Sequence, residues 1–169
     1  QEKEIDFLSR EITDYLVKIN QLELPVADAS RIGGLFHVVN DIERIGDHAE
    51  NIADAAVDLQ EENLEFTRKG NKELSEMHAK VIQIVEEALR MFATMDTSYQ
   101  AEILTLENEI DTMERELQRS HIRRMAKGKC TPQAGVIFTD LITGLERVGD
   151  HATNIAFSIL QNDPAEDEE

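Results

Sequence analysis

The sequence predicts an all-α protein of two tandem three-helix-bundle repeats, the first lacking its N-terminal helix, and three observations support this. Apolar residues recur at steps of three and four almost throughout, strand signals are nearly absent, and one stretch of the chain is written a second time about a hundred residues on. The 169 residues suffice for one ordinary domain or two small repeated ones. Hydrophobic residues make up 41% and charged residues 31%, a folding composition, and the absence of Trp suits helices packed through Leu, Ile, Val and Ala.

Five helices are expected, over 1–21, 27–67, 71–95, 98–127 and 132–161. The first ends in "QLELPVADAS", Gln21 to Ser30. The second carries the stripe Ile32, Leu35, Phe36, Val39, Ile42, Ile45, Ala49, Ile52, Ala56, Leu59, and "RKGN" around Gly70 is expected to end it. "MDTSYQ" breaks the third from the fourth, with Thr97 and Gln100 fitting a capping box. "KGKCTP" combines a C-terminal Gly128 with a Thr-Pro start for the fifth.

"EKEIDFLSREI" from Glu2 matches "ENEIDTMEREL" from Glu107 at an offset of 105. "NDIERIGDHAENIAD" from Asn40 matches "TGLERVGDHATNIAF" from Thr143 at an offset of 103. The organisation expected is a first repeat over 1–68 with two helices, a second over 69–162 with three, and an acidic tail over 163–169. By this alignment the chain starts inside a repeat, as a fragment of a longer protein would. A unit short of one helix exposes an apolar face, so homo-oligomerisation or cover by a neighbour is expected.

The net charge of −18 excludes a nucleic-acid binder, whose affinity comes from Lys and Arg displacing counterions from phosphates. It equally disfavours anionic lipid. Part of the charge lies in the tail "DPAEDEE"; the rest covers helix surfaces, where it attracts cations or basic partners. The single Cys130 permits no internal disulfide and fits a reducing cytoplasm. No apolar run has the length of a membrane span.

The repeated stretches carry Glu-x-x-x-Asp pairs, whose side chains stand one above the other, roughly 6 Å apart at their origins. The chain has five such pairs where chance gives about two. Four fall at repeat-equivalent positions: Glu2 with Asp6, Glu43 with Asp47, Glu107 with Asp111, and Glu146 with Asp150. Glu50 with Asp54 has no counterpart, since Thr153 and Phe157 stand there, and is read as surface. If the two marked helices of each unit are neighbours, each seam gathers four carboxylates. Such hard oxygen ligands suit Mg, Mn, Ca or oxidised iron.

Asn51 and Asn154 continue the stripe one turn on and could orient a carboxylate or ligate through the amide oxygen. His48 and His151, about 100° round the helix from their aspartates, are ligands, partners that orient ligands, or packed seam histidines. Arg44 and Arg147 are expected to pair with acids of the adjoining helix. Gly46 and Gly149 each cost about 1 kcal/mol relative to Ala, so another group should approach closely there.

"LFHVVNDIERIGDHAENIAD" and "LITGLERVGDHATNIA" resemble the signature helix of the PhoU family of phosphate-transport regulators, and the resemblance covers essentially the whole chain. It implies three-helix bundles with multinuclear metal sites, often iron, on the paired acids, and a regulator, not an enzyme, acting through a phosphate transporter or a sensor kinase. "SHIRRMAKGKCTPQAGVIFTDLITGLERVGDHATNIA" looks most like the C-terminal PhoU-like domain of bacterial sodium/phosphate cotransporters, which would be the cytosolic part of a membrane protein. The alternatives are a free-standing PhoU-type regulator, a metal-dependent hydrolase on the same acids, or a purely helical adaptor. A ferritin-type oxidase is excluded because no Glu stands three residues before any histidine. Asp41 corresponds to Gly144, Asp54 to Phe157 and His37 to Asp140, so the two sites need not be equal.

Overall fold

The computed structural model describes residues 2–160. The helices are α1 (Glu2–Asn20), α2 (Val26–Glu61), α3 (Arg68–Thr94), α4 (Gln100–Ala126) and α5 (Pro132–Phe157), with one 3-10 turn at Thr97–Tyr99 between α3 and α4. No described residue is in a strand, and no helix is long and apolar enough to cross a membrane. The expected tail over 163–169 lies outside the described residues.

Helices α3, α4 and α5 pack on one another as a bundle, α1 lies on α2, and α2 runs against α5. The main core joins Met77, Ile84 and Met91 of α3 to Ile103 and Ile110 of α4 and to Phe138, Ile142 and Leu145 of α5. Ile45 and Ile52 of α2 pack against this core, so the two halves share it. A smaller cluster of Leu16, Ile32 and Val39 holds α1 to α2.

The repeat shows what the two-helix half does not cover. Leu117, Phe138 and Leu145 are buried together with α3, whereas their counterparts Ile12, Leu35 and Ile42 are 44%, 37% and 40% exposed. Phe7, Leu8 and Tyr15 continue the bare strip along α1.

Several helix boundaries differ from those expected: α2 ends at Glu61 and not at 67, α3 begins at Arg68 and not at 71, α4 begins at Gln100 after the 3-10 turn and not at 98, and α5 ends at Phe157, short of 161. The chain turns at Asn63, whose φ of 52° is left-handed, and Thr67 then caps α3 by accepting from the Gly70 amide at 3.1 Å. Gly70 is therefore in the first turn of α3 and ends nothing. It is buried there, and a Cβ on it would lie 3.5 Å from both the Arg124 guanidinium and the Phe138 ring. No Thr97–Gln100 box forms; Asp96 accepts from the Ser98 amide at 2.9 Å, and Thr97 is already within the 3-10 turn. The start of α5 is as expected: Thr131 accepts from the Ala134 amide at 3.2 Å, Pro132 opens the helix, and Gly128 has φ 63°.

Near the C-terminal end of α4, a buried polar group ties it to α3. Arg124 donates to Glu73 and to Ser120, and Ser120 donates to Glu73 at 2.9 Å. His121 is 3% exposed, stacks on Phe138 at 4.8 Å between ring centres, and has no hydrogen-bond partner for Nε2 among the described residues. Burial, and after it the Arg124 charge, hold the His121 imidazole below its ordinary value of 6.5. Folding therefore disfavours its protonation. The stability this neutral ring allows is complete above pH ~6.5 and is lost as the pH falls from there toward the lower folded value. Denaturant unfolding should accordingly show a steeper loss of stability between about pH 7 and 5 in the wild type than in His121→Gln; parallel profiles would contradict this.

Candidate metal centre

Two clusters of carboxylates stand where paired helices meet. Glu2 and Asp6 of α1 with Asp47 of α2 form one, and Asp111 of α4 with Glu146 and Asp150 of α5 form the other. In each trio the nearest oxygens all lie within 4.8 Å of one another. Under the repeat, Asp6 corresponds to Asp111 and Asp47 to Asp150, so each cluster is built on the same aspartate pair from two helices.

The central glycines explain how the helices come so close. A Cβ on Gly46 would lie 3.1 Å from Cδ1 of Ile5, and one on Gly149 would lie 3.3 Å from Cδ1 of Ile110. Ile5 and Ile110 are repeat counterparts, and each directly precedes a cluster aspartate, Asp6 or Asp111. The group expected to approach each glycine is thus an isoleucine of the partner helix. Its seating brings the acids of the two helices level.

The acids repel one another. Glu146 and Asp150 are held above the ordinary carboxylate range chiefly by burial; Asp150 raises Glu146 further, Asp111 raises both, and Arg147 opposes the rise. Glu107 is raised by burial, then by Asp111 and Asp150. Glu2 is raised first by its hydrogen bond with Asp6, with Glu50 and Asp47 adding to it. Opposed oxygen ligands of a Mg- or Ca-sized ion stand about 4–5 Å apart, so the donor set fits a hard cation, and such a cation would neutralise the repulsion.

Six of the eight expected acids fall into the two trios. Glu107 lies outside its trio yet close enough to feel Asp111 and Asp150. Glu43, half-buried on α2, is not in the first trio, while its counterpart Glu146 is in the second. Arg44 and Arg147 do not reach across to the adjoining helix as expected. They pair along their own helices, Arg44 with Asp47 at 3.9 Å and Arg147 with Asp150 at 3.5 Å and Glu146 at 3.6 Å.

The histidines belong to another seam. His48 of α2 and His151 of α5 stack on each other at 5.7 Å, and His151 Nδ1 is 2.8 Å from Oδ1 of the buried Asp41. This is the packed, hydrogen-bonded reading, at the α2–α5 contact. Asn51 and Asn154 are exposed, Asn51 on the wall of a cleft of about 490 Å³ between α2 and α5 that Asp54 and Asp140 also line.

Sequence reasoning missed Glu114 and undervalued Glu50. Glu114 stands three residues after Asp111, on the same face of α4, and its charge is among those that raise Glu146. Its counterpart is Ser9, so a search for duplicated acids passes over it. Glu50 is exposed as expected but acts on Glu2.

The sequence signature of the PhoU domain matches residues 1–56 and 74–159. The chain belongs to the PhoU family. It is 31% identical over 157 residues to the "phosphate-specific transport system accessory protein PhoU homolog 1" of Thermotoga maritima, an alignment covering 92% of this chain and 67% of that protein. It is 29% identical to the PhoU homolog of Pseudomonas aeruginosa, over 93% of this chain and 64% of that one. The chain thus spans about two thirds of the length of these curated PhoU relatives. The crystal structure of PhoU from Pseudomonas aeruginosa superposes with a TM-score of 0.87 at 26% identity, covering 95% of this chain and 77% of that one. The phosphate transport system regulatory protein PhoU from Streptococcus pneumoniae shares the fold, with a TM-score of 0.84 at 22% identity over 99% and 78% of the two chains.

Proposed function

We propose that this PhoU-family chain is a metal-binding regulatory module of inorganic phosphate transport, of the kind its relatives' names describe as accessory to a phosphate-specific transport system. The observation that carries the metal part is the pair of carboxylate trios on repeat-equivalent aspartates of two helix seams. Iron, Mg or Mn held there by Glu2, Asp6 and Asp47, and by Asp111, Glu146 and Asp150, would neutralise like charges and lock α1 to α2 and α4 to α5. Glu43 and Glu107 stand beside these trios on the same helices.

The relatives favour a free-standing accessory protein over the soluble domain of a sodium/phosphate cotransporter, because those described are named as accessory proteins. The partner that follows is a phosphate transporter on the cytoplasmic side, and a sensor kinase is the next in line. The accessory role in the relatives' names supports a regulator over a hydrolase. The bare strip Phe7, Leu8, Ile12, Leu35 and Ile42 favours a further helix or a second copy of the chain lying against α1 and α2.

Phosphate uptake by cells lacking their own PhoU, and producing either the wild type or a variant with Asp6, Asp47, Asp111 and Asp150 all changed to Asn, tests this reading. Restored control of uptake by the wild type alone is expected. Restoration by both would remove the metals from the function, and by neither would remove the role in transport.

A further inference from the structure

One place in the core is filled in two different ways by the two halves. In the first half Leu16 of α1 and Ile32 of α2 are both buried and pack in one aliphatic cluster. Their counterparts in the second half are His121 of α4 and Gly135 of α5. An imidazole and a bare stretch of backbone thus stand where two aliphatic side chains would serve. His121 is 3% exposed, and its Nε2 is buried with no hydrogen-bond partner among the described residues. A buried polar atom left unpaired is destabilising, so packing alone does not account for the exchange.

Met125 gives the exchange a chemical sense. It is four residues after His121, on the same face of α4, and its counterpart is Asn20, the last residue of α1. A Cβ on Gly135 would lie 2.9 Å from His121 Nε2 and 2.7 Å from Met125 Sδ, so the nitrogen and the sulfur converge over the glycine with no side chain between them. Met125 is 38% exposed and leads from solvent to the buried nitrogen. Imidazole nitrogen with thioether sulfur is a donor pair that suits Cu(I) or Ag(I), not the hard cations that carboxylates take. Metal bonds to such atoms run about 2.0–2.3 Å, and the flexible methionine can close on an ion held by the ring. The Arg124 charge nearby, which would oppose a cation, is paired with Glu73.

We propose that His121 and Met125 form a site for one soft monovalent cation, Cu(I) or Ag(I), seated over Gly135. The site lies ten residues, about 15 Å, along α4 from Asp111, and it differs from the carboxylate clusters in donor type as well as in place. It stands whether or not those clusters hold metal. Leu16, Asn20 and Ile32 offer no soft donor pair in the first half, so the chain has one such site.

Silver nitrate titrated into the Cys130→Ser chain, with isotope-labelled methionine methyl groups followed by NMR, tests this; the substitution removes the half-buried thiol that would itself take silver. Of the five methionines, one methyl signal should move first and saturate at one Ag⁺ per chain. Met125→Leu should remove that signal and weaken silver binding by about 10-fold or more. His121→Leu, which puts the first half's leucine in the same place, should weaken it as much with the helix content kept by circular dichroism. Because Met125 is partly exposed, its variant decides the matter even if His121→Leu unfolds. Excess Mn²⁺ should leave the silver in place. Binding unchanged in Met125→Leu, a first shift at another methionine, displacement by Mn²⁺, or no uptake of silver at all would overturn the site.

Discussion

Replacing Gly149 by leucine is expected to destabilise the fold by about 1–3 kcal/mol or more, because the first added carbon already meets Ile110 Cδ1 at 3.3 Å and three more must follow. The control is Gly33, an exposed glycine within α2 that has nothing within 4 Å of its Cβ position. Gly33→Leu should be neutral or stabilising by up to about 1 kcal/mol, since leucine is the better helix former. Urea unfolding measures both. Ile110 sits beside Asp111, so forcing it off Gly149 also parts Asp111 from Asp150, and metal affinity should fall with stability. If both substitutions have the same effect, the close approach at Gly149 does not set the cluster's geometry.

Changing Asp111 and Asp150 together to Asn should stabilise the metal-free chain near neutral pH and abolish most of the added stability that Mn²⁺ confers on the second half. Folding raises Asp150 above its ordinary 3.8, chiefly by burial and with Asp111 adding to it. A carboxylate raised in this way lends stability below its unfolded value and loses it as the pH rises through its folded value. The double variant should therefore gain most over the wild type at pH 7, and the gain should vanish near pH 3.8 and below. With metal present the order reverses: an ion at 100 times its dissociation constant adds about 2.7 kcal/mol to the wild type, which the variant forgoes. A wild type more stable than the variant without metal would mean that the acids are not in uncompensated repulsion.

Much of this was legible in the sequence because periodicity and duplication are signals a chain carries in itself. The three-and-four spacing gave five helices, and the duplicated Glu-x-x-x-Asp words gave both aspartate pairs, since residues four apart on a helix must share a face. What the sequence did not carry were relations across helices. Gly70 read as a breaker because glycine usually is one; here Thr67 caps the helix three residues earlier, and the glycine makes room for Arg124 and Phe138. His48 and His151 sit next to cluster aspartates in the chain, yet one step of 100° turns them to the α2–α5 contact, where Asp41 meets His151. Glu114 carries no duplication signal, because its counterpart is Ser9. Arg44 and Arg147 reach acids three residues on along their own helices, Asp47 and Asp150, and so do not cross to the neighbouring helix for a partner.

The central claim is that the duplicated acids hold metal at two helix seams, and anomalous scattering tests it most directly. Crystals of the wild type grown with Mn²⁺ should give peaks at both seams, one beside Asp6 and Asp47 and one beside Asp111 and Asp150. No peak at either seam, or peaks that persist when all four aspartates are changed to asparagine, would contradict the account.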